Sequence, residues 1–153
     1  MDDVRKRYDA FLAVVDEMQI DLFKQLGEEA VTFARSEHAN NWQDQSGNLR
    51  SSIGYMIFVD GQPVFAPPFE TVSPNNPPKD GVPLDGAKQG EQLCRQIGEQ
   101  TTDISLVVVA GMNYALYVEA KGRDVLAGAQ TYVQRTLPTM IEQLKNDIKN
   151  VPM

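Results

Sequence analysis

The sequence predicts an α+β fold: a small, mainly antiparallel sheet of about four strands, packed by long N- and C-terminal helices and a short middle helix. Three observations carry that prediction. Apolar residues recur in steps of three and four near both ends of the chain, Asp60-Gly61 separates two strand-like runs, and residues 104–110 form an unbroken, valine-rich apolar stretch.

The first element is a helix from Val4 to about Ala39. Val4, Tyr8, Phe11, Leu12, Val15, Met18, Leu22, Leu26, Ala30, Phe33 and Ala34 keep one face apolar, and Asp2 or Asp3 can cap its start. Gly27 weakens the helix interior by about 1 kcal/mol relative to alanine, so a bend is expected there. A polar connection around Trp42 follows, with a helical turn through 49–52. Residues 53–59 and 62–66 then form a hairpin about Asp60-Gly61, with Pro63 marking the second strand as an edge.

Residues 67–83 hold six of the nine prolines, which leaves no regular element there and predicts an arm or flap spanning 67–86, with a disordered segment as the alternative. A second helix is expected over 87–99, with Leu93, Cys94 and Ile97 facing inward and Gly90 and Gly98 weakening it. The strand at 104–110 reads as buried on both faces. After it come residues 112–120, a helical turn or another strand, where the spacing of Tyr114, Tyr117 and Val118 favours a short helix. Then follow a turn at 121–123, a short strand at 124–126 and a long helix at 128–150. Pro138 is expected to kink that last helix.

At 153 residues the chain fits one domain, 1–153, which buries about 70% of its unfolded surface without a metal or disulfide. The net charge of −7 disfavours broad binding to nucleic acid, and Arg5, Lys6 and Arg7 read as a solvated helix face. The acidic start, with no apolar segment behind it, predicts no secretory signal and synthesis in a cytosol. No stretch reaches the roughly 20 apolar residues of a membrane span.

Catalytic patterns are absent from the sequence. Cys94 is the only cysteine and His38 the only histidine, and neither sits in a nucleophile motif or a multi-histidine metal pattern. There is no phosphate-binding glycine loop and no nucleophile elbow. The acid pairs Glu28 with Glu29 and Glu119 with Asp124 read as solvated surface, so neither an enzyme nor a cofactor is expected.

Two segments are more specific. One is Ser46-Gly47-Asn48-Leu49-Arg50-Ser51-Ser52-Ile53, leading into a strand. The other is Val109-Ala110-Gly111-Met112-Asn113-Tyr114-Ala115-Leu116-Tyr117-Val118-Glu119-Ala120-Lys121-Gly122. On the residues alone, Leu49 and Ile53 anchor a turn, Gly47 supplies an unusual φ, Arg50 pairs with a neighbouring acid, and Glu119 accepts from backbone or from Arg123. In order and spacing, the two segments resemble the gene-product-ten-like family of minor tail, or head–tail joining, proteins of long-tailed bacteriophages and prophages. The proline-rich arm, the helix after it and the Gly122-Arg123-Asp124-Val125-Leu126 ending depart from that family's simplest pattern.

The resemblance implies a virion subunit made in a bacterial cytoplasm and placed at the neck or tail terminus. There it would join copies of itself into a ring, a hexamer being the expected closure, and contact neighbouring tail or connector proteins. Expected subunit contacts are Pro67, Pro74, Pro77 and Pro78 of the arm, with Asn113, Tyr114, Tyr117, Glu119 and Arg123. Ser46, Gly47, Leu49, Arg50 and Ile53 form the expected scaffold beneath them. A binding adaptor or regulator from a mobile element is the alternative, and a hydrolase using Glu119 and Asp124 is a third reading.

Overall fold

A computed structural model describes residues 2–35, 48–70, 85–111 and 126–152. Its elements in chain order are α1 (Asp2–Arg35), α2 (Asn48–Ser51), β1 (Ile53–Val59), β2 (Gln62–Phe65), α3 (Gly86–Gly98), β3 (Ile104–Ala110) and α4 (Ala127–Lys149). The fold is α+β, and among the described residues the sheet has three antiparallel strands in the order β2-β1-β3. The fourth strand expected at 124–126 lies outside the described residues but for Leu126, which stands at the N-cap of α4.

The hairpin turn forms as its residues dictate. Asp60 and Gly61 take φ values of 48° and 81°, the positive pair whose twist matches that of the flanking strands. The Asp60 N–H also donates to the Asp103 carbonyl at 3.0 Å, and the Asp103 N–H donates to Asp60 Oδ1 at 2.9 Å. That exchange fastens the turn to the start of β3. Pro63 lies on the edge strand opposite Phe58, next to a register shift between Ile57 and Phe58.

Alternation along β1 sends its side chains into two cores. Ile53 meets Ala34 and Ala129 on one face, while Met56 and Phe58 meet Cys94, Val107 and Val109 on the other. The layers are therefore α3, the sheet, and α1 with α4. This corrects the expectation for residues 104–110: the strand buried on both faces is β1, from Ile53 to Phe58, which among the described residues is the one with a neighbour on each side. In β3 only Val107 and Val109 are buried.

One further expectation changes, that for α3, and Gly27 gains a packing role. Gly27 marks a close approach, since a Cβ there would lie 2.6 Å from Cε2 of Tyr55, so the glycine lets α1 settle onto β1. On α3, Ile97 is exposed; the buried residues are Gly86, Gly90, Cys94 and Gly98, one per turn. The large groups come from the other side: Phe58 lies against Gly98 and Phe69 against Gly90, and both aromatic rings are buried. The glycines that weaken the helix locally are the ones that let it pack.

Candidate interaction surface

Three segments leave the described body at one end of the sheet and return there. Their roots are Arg35 and Asn48, Glu70 and Asp85, and Gly111 and Leu126. Register explains the convergence: Ile53, which opens β1, pairs with Ala110, which closes β3. One residue further out, the Gly111 N–H donates to the Ser52 carbonyl at 3.1 Å. The described ends of the two sequence segments singled out above therefore touch.

Phe69 and Gly90 complete that corner. Phe69 lies over Gly54 and Gly90, where an added Cβ would come within 2.6 Å and 2.8 Å of its ring. Gly90 also abuts the Ser52 carbonyl, and a Cβ on Gly111 would stand 2.7 Å from the Gly90 nitrogen. Backbone meets backbone between Ser52, Gly90 and Gly111, with the Phe69 ring against the same Gly90. Phe69 is thus anchored, beside half-buried Pro67 and exposed Pro68.

Arg35, at the end of α1, clasps two of the roots. Its Nε donates to the Arg50 carbonyl at 3.1 Å and its Nη2 to the Glu70 carbonyl at 2.7 Å. Nη1 reaches Glu70 Oε2 at 3.4 Å. Burial pulls the guanidinium pKa below its ordinary value, against the opposing pull of Glu70 and Glu28. The side chain nevertheless has two backbone acceptors to hold it charged. Arg50 itself is buried, as are Ser51, Ser52 and Ile53.

Glu28 and Glu29 are structural acceptors. Tyr55 donates to Glu28 at 2.9 Å and Tyr132 donates to Glu29 at 3.0 Å, so neighbouring acids tie α1 to the sheet and to α4. Phe33 stacks on Tyr132 with ring centroids 5.6 Å apart. Burial and the Glu28 carboxylate together push the Tyr55 phenol well above its usual range. A cleft of about 340 Å³ opens between Glu28, Arg35, Tyr55, Phe69 and Glu70. Its charged groups are bonded: Arg35 to backbone carbonyls and Glu70, and Glu28 to the Tyr55 hydroxyl.

A separate apolar groove of about 540 Å³ runs between Ala30, Leu106, Val108, Leu126 and Val133. It lies beside the root of segment 112–125 and exposes the half-buried side of β3.

Of the residues singled out in the sequence, the structure brings together Arg50, Ile53 and Pro67 at this end of the sheet. Ser46, Gly47, Pro74, Pro77, Pro78, Asn113, Tyr114, Tyr117, Glu119, Arg123 and Asp124 lie outside the described residues, as does the side chain of Leu49. The short helix expected near Tyr117 lies there too. Arg35 and Phe69 go unnoticed in the sequence, while Ser52 reads only as part of a motif and Gly90 only as a weak point of its helix. A basic residue directly after buried Ala34 is the one local signal that marks Arg35.

Cys94 is fully buried and its thiol donates to the Val107 carbonyl at 3.6 Å; burial pushes its pKa up to about 12. His38 lies outside the described residues. Among the described residues no three His, Cys, Asp or Glu side chains are grouped to hold a metal ion, and no helix is long and apolar enough to cross a membrane. No family model, no curated protein and no solved structure matches the chain.

Proposed function

We propose that the chain is a structural subunit of a phage or prophage virion, acting at the neck or tail terminus in tail completion or head–tail joining. It works by ring assembly with copies of itself, six-fold closure being what the family resemblance implies, and by contact with tail or connector neighbours. It needs no catalysis and no cofactor. The observation that carries the reading is the convergence of three connecting segments on the corner closed by the Gly111–Ser52 hydrogen bond.

A ring subunit needs a rigid body that presents its contact segments together, since closure requires a fixed rotation from one copy to the next. The arm and segment 113–123 both spring from that rigid corner, and prolines limit the freedom the arm loses on docking. The remaining described surface offers bonded charges and an apolar groove, both suited to protein contact.

The test is complementation in extracts. Heads and tails from particles lacking this protein are mixed with the purified chain, or with a variant whose residues 71–84 are replaced by a glycine–serine run of equal length. The native chain is expected to restore joining and the variant to fail while remaining folded. A fully active variant contradicts the role given to the arm, and a native chain that restores nothing contradicts the reading as a whole.

A further inference from the structure

We infer that the first turns of α1 form a second, self-complementary interface, pairing antiparallel about a two-fold axis with the same turns of a second copy of this chain. The inference stands apart from the proposed function, since it concerns the opposite end of the molecule from the converging segments.

α1 and α4 run antiparallel. Phe33 stacks on Tyr132, and further along Met18 and Leu22 share a groove with Met140 and Leu144. At equal rise per residue, the last residue of α4, Lys149, comes level with about Asp16 of α1. Residues 2–15, roughly four turns, therefore run on past the end of α4. Helices of about that length are marginal in water when nothing packs against them. Yet this stretch keeps an apolar stripe: Val4, Tyr8 and Leu12 are 67%, 52% and 40% exposed, with half-buried Phe11 and Val15 beside them.

Charge placement selects the occupant. Arg5 and Asp16 are three turns apart and so flank the same edge of the stripe. A two-fold axis perpendicular to both helices brings like edges together, which sets Arg5 against Asp16 of the second copy and, by symmetry, Asp16 against Arg5. In that register the axis passes between Ala10 and Phe11, and Tyr8 enters between Leu12 and Val15 of the second copy. Parallel pairing would oppose Arg5 to Arg5 and Asp16 to Asp16. Among the described residues neither takes part in an ion pair within the chain.

Sedimentation velocity of the full chain over a concentration series tests this, with circular dichroism confirming that each variant is folded. The native chain should dimerise and Leu12→Glu should be monomeric. Arg5→Asp and Asp16→Arg should each weaken the dimer about tenfold or more, because each sets like charges opposite one another, and the double exchange should restore it. A native chain that stays monomeric overturns the inference and leaves the stripe to a different protein. So does a dimer indifferent to Leu12→Glu, or a double exchange no tighter than the single variants.

Discussion

The Gly111 N–H donates to the Ser52 carbonyl at 3.1 Å, joining the residue just past β3 to the residue just before β1. Gly90 of α3 abuts that same carbonyl, so three backbones meet with no side chain between them. Gly90→Ala drives a methyl into backbone that cannot rotate away. Overpacking of this kind costs about 1–3 kcal/mol, and each kcal/mol lowers Tm by about 2–4 °C in a chain of this size. Thermal unfolding followed by circular dichroism should show that drop; an unchanged Tm would contradict the packing described.

Arg35 holds the roots through backbone carbonyls more than through Glu70, whose side chain is 80% exposed. Arg35→Met should cost about 2 kcal/mol, the scale of hydrogen bonds from a charged donor. Glu70→Gln should cost less than about 0.5 kcal/mol, because exposed ion pairs contribute little. Urea titration of both variants checks the ranking. Equal losses would mean the ion pair matters as much as the carbonyl contacts.

Alkaline pH should destabilise the fold through Cys94 and Tyr55. Burial raises the Cys94 thiol from 9.0 to about 12, so between those values the unfolded chain has lost a proton that the folded chain keeps. Folding then binds a proton, and stability falls as pH rises through that window. Tyr55 is raised above its ordinary 10.0 and acts in the same direction at higher pH. Denaturation midpoints should decline above about pH 9. Cys94→Ala should flatten the first part of the decline, and an identical decline in that variant would contradict the assignment.

Much of this fold is legible locally. Asp60-Gly61 sets its own turn, and the three-and-four spacing of apolar residues in α1 and α4 needs no partner to be read. Burial ranking is different. The valine run of β3 looks like a central strand, yet among the described strands β1, interrupted by Gly54, holds that place by pairing on both sides, and Phe69 fills the space over the glycine. Likewise Gly90 and Gly98 look like flaws in α3 until the rings they face are located. The corner itself depends on residues far apart in the chain, so spacing alone cannot reveal that Ser52 meets Gly111. The paired acids Glu28 and Glu29 read as surface because their tyrosines arrive from β1 and α4.

Electron microscopy of particles from a host in which this gene has been deleted tests the proposed role most directly. The account predicts filled heads and separate tails that fail to join, with joining restored when the gene is supplied in trans. Normal, infectious particles from the deletion host would contradict it and leave a binding adaptor of a mobile element as the better reading.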